Sequence, residues 1–265
     1  MATSSLLIIY DNAVDRASSI SANNTTAGSA SNIQNDVKGK IHRGTSPVTF
    51  TIAWSSNQPQ IGAIAIPMAN LPLNTTVSGS ITHSGGTYTI PSTNIVPYTD
   101  ISEFGSSAAT VNDFAVGRYS SGFIVLPQTY TSVSQLVLTV TSGTSSLDIS
   151  RIVAGRVFKP ERFASAGIQH SILNAAESNR LSTGNIVLDA GFQYSTLSFD
   201  LRYMQSTDRD NLIKLLKITG SKNVFVSLFS TDSSRLVYDY SIYGRITNSP
   251  ITAEFYGIYS TKLIS

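Results

Sequence analysis

The chain contains no cysteine, which excludes disulfides, thiolate metal sites and cysteine nucleophiles. Histidine is almost as scarce. His42, His83 and His170 are the only three, and none stands at metal-ligand spacing from another histidine or from a carboxylate, so no zinc site is expected. His42 falls in a polar loop and is expected to be solvated, His83 at a hairpin end, and His170 in a half-buried strand. Charged residues make up 13% of the chain, against roughly 25% in soluble domains. No Walker A, G-x-G-x-x-G or G-x-S-x-G pattern is present, and Gly85-Gly86, the one glycine pair, does not lead into a helix. EF-type calcium spacing is also missing. These absences point to a protein that is not an enzyme, with no catalytic residues, no metal and no cofactor.

No apolar run of membrane-spanning length is present either. Leu6-Leu-Ile-Ile9 is preceded by no positive charge and is too short for a signal h-region or a membrane span, so folding in a cytoplasm without membrane insertion is expected. The net charge is +2, which argues against nucleic acid as the main partner. It is unevenly spread: residues 1–150 hold 5 basic and 7 acidic side chains, the remainder 13 and 9.

Ser, Thr, Asn and Gly take the place of charge, and hydrophobic residues at 41% of 265 are enough for a core. Period-two alternation predicts most of the structure. It is clearest over Val48–Trp54, Ser134–Thr141, Leu197–Tyr203 and Leu236–Tyr243. Ile61-Gly-Ala-Ile-Ala-Ile-Pro-Met-Ala69 is a continuous apolar run that predicts a strand buried on both faces, and Ser84-Gly85-Gly86 predicts a hairpin turn. A single amphipathic helix is expected over 207–219, with Thr207 as N-cap, Asp210 completing a capping box, and Gly220 past its end. Leu212, Ile213, Leu215 and Leu216 form its apolar face. The expected fold is mainly β. A jelly-roll-like β-sandwich over 1–155 precedes a β-barrel or sandwich domain over 156–265 with one flanking helix.

The order of elements resembles two families of phage virion proteins. In the second half these are Gly155-Arg-Val-Phe-Lys-Pro-Glu-Arg162, Ser178-Asn-Arg180, Thr196-Leu-Ser-Phe-Asp-Leu-Arg-Tyr203, the capped helix and Asn223-Val-Phe-Val-Ser-Leu-Phe229. That succession is similar to tailed-bacteriophage tail-tip or baseplate proteins of the distal-tail type. In the first half, Asp11-Asn-Ala-Val-Asp15, Ser31-Asn-Ile-Gln-Asn35, His42-Arg43, Trp54 and the run from Ile61 to Leu71 resemble a discoidin-like (galactose-binding-like) β-sandwich. In the better-known distal tail proteins the tube-like domain comes first; the resemblance implies the reverse order here.

The resemblance implies a virion structural protein of the tail, assembled in the host cytoplasm. It would form a ring of copies of itself, commonly six, with the tail tube above and the tail hub below. The second half would then be tail-tube-like. Candidate subunit-interface residues are Arg156, Phe158, Arg162, Tyr238, Tyr240, Tyr243 and Tyr256, since aromatics with wet hydroxyls are common at interfaces. The alternative is a carbohydrate-binding receptor-recognition protein contacting a host surface glycan. Tyr98, Asp100, Asp113, Arg118 and Tyr119 are the side chains of suitable type for that role.

Overall fold

A computed structural model describes residues 6–37, 39–56, 58–72, 74–96, 120–162, 168–174, 178–180, 186–188, 193–230, 237, 240–247, 251–255 and 258–264. The strands are β1 (Leu7–Tyr10), β2 (Ser19–Ala22), β3 (Thr25–Ala27), β4 (His42–Thr45), β5 (Val48–Ala53), β6 (Ile61–Ala69), β7 (Thr76–His83), β8 (Gly86–Asn94), β9 (Ser120–Tyr130), β10 (Val133–Thr141) and β11 (Ser146–Phe158). They continue with β12 (Gln169–Asn174), β13 (Ser178–Arg180), β14 (Ile186–Leu188) and β15 (Gln193–Met204). After helix α1 (Ser206–Thr219) come β16 (Asn223–Ser227), β17 (Ser241–Arg245), β18 (Ile251–Phe255) and β19 (Ile258–Ile264). The fold is mainly β, with several antiparallel sheets and, among the described residues, the helix α1.

Two sheets make a sandwich. In the five-stranded sheet, ordered β2-β5-β10-β7-β8, alternation does what the sequence predicts. Val48, Phe50 and Ile52 point inward between half-buried Thr49, Thr51 and Ala53. They stand opposite Val140, Leu138 and Leu136 on β10, and Leu136 and Val140 in turn face Ile81 and Val77 on β7. Gly79 sits opposite Leu138, where a Cβ would lie 2.0 Å from the Val137 carbonyl oxygen. Only glycine allows the two backbones to close there.

Facing this sheet is an eight-stranded one, β17-β16-β1-β11-β4-β3, with β6 paired to β11 and β9. All nine residues of β6 are buried. Ile61, Ile64 and Ile66 enter the core between the two sheets, while Ala63 and Ala65 pack on the other side with Leu7, Ile9, Val153 and Phe225. A strand covered on both faces has no polar face, which is why its sequence reads as an unbroken apolar run.

The eight-stranded sheet crosses the division expected at 155/156. That point falls inside β11, and β1 from the first half hydrogen-bonds β16 from the second, Ile8 opposite Val226. Leu6, Ile8 and Phe158 then join Leu197, Phe199 and Leu201 of β15 and Leu212 and Leu215 of α1 in a second core. The second half also contributes a four-stranded sheet, β12-β15-β19-β18.

Local details differ from expectation at four places. The helix N-cap is Gln205, with no side-chain capping bond, and Thr207 lies within the first turn. Asp208 accepts a hydrogen bond from the Glu161 N–H at 3.0 Å, and Asp210 pairs with Arg209 at 2.7 Å, so neither acid serves the expected box. Gly220 does end the helix at φ +54, its N–H donating to the Leu216 carbonyl. His42 is fully buried against Phe50, ring centroids 5.0 Å apart, rather than solvated. His170 is exposed on β12. The strand expected over 236–243 starts only at Ser241, with Tyr240 in the preceding turn.

Candidate functional site

The densest polar cluster is built on the turn Asp11-Asn-Ala-Val-Asp-Arg16. Asp11 takes a positive φ of 55 and turns the chain out of β1 into a 3₁₀ turn over Ala13–Arg16. Asn12, 8% exposed, pins that turn to a strand 140 residues away: its amide donates to the Ile152 carbonyl at 3.2 Å and accepts from the Ala154 N–H at 2.9 Å. The Trp54 indole N–H donates to the Ala13 carbonyl at 2.9 Å, and the Gln34 amide to the Val14 carbonyl at 2.7 Å. Three of the first-half stretches that suggested a β-sandwich are therefore one interlocked bracket. Its tryptophan is a buried clamp at 3% exposure, not a platform for a ligand.

Arg151 occupies the centre, 3% exposed in the middle of β11. Its guanidinium lies 2.7 Å from Asp15 Oδ1 and 3.0 Å from Asp36 Oδ1. Its Nε donates to the Tyr243 hydroxyl at 2.9 Å, which itself donates to Asp36 at 2.6 Å. A buried arginine is tolerated because its Nε and Nη2 donate to Tyr243 and Asp15 and its charge is matched by two carboxylates. Burial pushes the Tyr243 phenol well above its ordinary pKa despite the nearby Arg151, so this hydroxyl stays protonated and acts as a hydrogen-bond relay, not a base. Beside it, Asp11 pairs with Arg16, and Arg156 Nε stands 3.4 Å from its other oxygen.

The cluster opens into a cleft of about 370 Å³. One wall is the Asp11–Arg16 turn with Asp36 and Arg151; the other is Ser221, Lys222, Asn223 and Arg245, at the joined ends of β16 and β17. Among the described residues no nucleophile paired with a base lines it, and no group of three or more His, Asp or Glu could hold a metal. What the cleft offers is fixed charge and hydrogen-bonding capacity.

The expected interface residues are scattered. Arg156 and Tyr243 belong to this cluster, and Arg162 is exposed beyond β11. Phe158 is 4% exposed inside the second core, so its ring serves the fold of one chain and not contact between chains. Tyr240 packs edge-on against Phe229 at 5.2 Å. Tyr238 and Tyr256 lie outside the described residues, as do all five glycan candidates, Tyr98, Asp100, Asp113, Arg118 and Tyr119. Sequence reading missed Arg151. Its signal was a lone cation inside Ile149-Ser-Arg-Ile-Val-Ala154, a position that demands buried acidic partners.

No helix among the described residues is long and apolar enough to cross a membrane. Sequence comparisons match the chain to no family model and to no curated protein.

Proposed function

We propose that this chain is a non-enzymatic structural protein of a bacteriophage tail tip, one copy in a ring that joins the tail tube to the distal hub. The observation that carries the self-assembly is the outer ribbon of β12 and β15. Among the described residues β12 pairs with β15 alone and sits at the sheet edge, and all of residues 169–173 are exposed. Ile172 is 51% exposed, Leu173 43%, and Tyr194, directly opposite Leu173, 52%. A two-stranded ribbon with apolar side chains in water is marginal by itself, and an open edge is a template for another strand. Copies that meet head to tail through such an edge close into a ring when the rotation allows it. The ordered resemblance to distal-tail proteins supports the same reading.

The test is the mass of the purified chain by mass photometry, with electron microscopy of any assembly. Rings of identical copies are expected. A protein that stays monomeric at every concentration, and is absent from virions, contradicts the proposal.

A further inference from the structure

The cleft beside Arg151 carries more positive charge than the fold uses. Asp15 and Asp36 are engaged by Arg151, and Asp11 by Arg16 and Arg156. Lys222 and Arg245 line the same space and have no carboxylate partner among the described residues. Both are carried on fixed backbone. Arg245 stands opposite Asn223 in the β16–β17 ladder, and the Lys222 N–H donates to the Thr219 carbonyl at 2.9 Å. Two like charges brought to one wall repel unless an anion lies between them.

The other groups narrow the anion. Ser221 and Asn223 supply a hydroxyl and an amide on the cationic wall. The opposite wall supplies carboxylate acceptors, with the Asp36 side chain 46% exposed. Those carboxylates disfavour a compact, doubly charged ion such as phosphate, but they accept hydrogen bonds from hydroxyls. A volume of about 370 Å³ lies at the small end of ligand sites, roughly 300–1,000 Å³. We propose that the cleft binds an acidic monosaccharide unit, a hexuronate, its carboxylate held by Lys222 and Arg245 and its hydroxyls by Asn223 and Asp36. Arg151, locked by two carboxylates and a phenol, keeps the acidic wall in place before the ligand arrives. The inference stands apart from ring assembly and needs only one chain.

Isothermal titration of the full chain with glucuronate and galacturonate, and in parallel with glucose and inorganic phosphate, tests it. Saturable binding of a uronate is expected, weakening as salt is raised, with none for glucose and less for phosphate. The pair Lys222→Ala with Arg245→Ala should weaken uronate binding about tenfold or more with an unchanged melting temperature, because both side chains are exposed. Lys214→Ala with Lys217→Ala removes the same charge from the exposed face of α1 and should leave binding intact. The proposal is overturned if neither uronate binds, if phosphate or glucose binds as well, or if the two double variants behave alike.

Discussion

β5 and β12 are both short antiparallel strands of six residues, and they meet opposite fates. β5 lies between β2 and β10, and its Val48, Phe50 and Ile52 are completely buried. β12 has one neighbour among the described residues and leaves Ile172 and Leu173 about half exposed. The strands differ in what surrounds them more than in their own pattern. The sandwich covers most of its apolar side chains within the chain, Val125 on β9, 43% exposed, being an exception. The β12–β15 ribbon runs past its own core: Leu197, Phe199 and Leu201 are buried at one end of β15 while Tyr194 is in solvent at the other. Surface left over in this way is what a second copy can cover.

That contrast can be broken at several strengths. Phe50→Ala removes a ring from the sandwich core and should cost about 4 kcal/mol in urea unfolding; a loss below about 1 kcal/mol would mean the core is looser than its complete burial implies. Arg151→Ala is next. It strands Asp15 and Asp36 and cuts the link from β11 to β17, for a loss of about 3 kcal/mol, held to that size because both acids are partly solvated at 32% and 46% exposure. Tyr243→Phe keeps the ring and removes only the relay between Arg151 and Asp36, so about 1–2 kcal/mol is expected. A neutral result there would show that water replaces the hydroxyl.

A fourth test uses pH. Burial lowers the His42 pKa, and both ring nitrogens lack a hydrogen-bond partner among the described residues. The folded protein therefore holds the neutral ring, and the unfolded chain takes up the proton first. The stability His42 contributes is present above its ordinary pKa of about 6.5 and is lost as pH falls below that value toward the lower, folded-state pKa. His42→Phe should flatten that part of the stability curve. Equal acid sensitivity in the two proteins would assign the effect to other groups.

Much of the fold was legible because a strand announces itself locally. Val48–Trp54 and Ser134–Thr141 alternate, the Ile61–Ala69 run has no polar face, and the Leu212–Leu216 stretch has helical spacing. Pairing is not local. Nothing in Leu6-Leu-Ile-Ile-Tyr10 says that it will lie between β11 and β16, so a boundary drawn at 155 cuts a continuous sheet. His42 read as solvated from its polar neighbours Lys40 and Arg43, yet it is buried against Phe50 of the facing sheet. The candidate site was half legible. Asp11, Asn12 and Asp15 stood out as a group, but their partners Arg151 and Tyr243 lie more than 130 residues on, at distances only the fold can close.

The most direct measurement is the mass distribution of the wild-type chain beside that of Ile172→Asp with Leu173→Asp. These side chains are exposed, so the double variant should keep its folding free energy within about 0.5 kcal/mol. The wild type should form a closed ring and the variant should run as a monomer. A ring of unchanged size from the variant would place the contact elsewhere, and a wild type that never leaves the monomer would end the ring proposal.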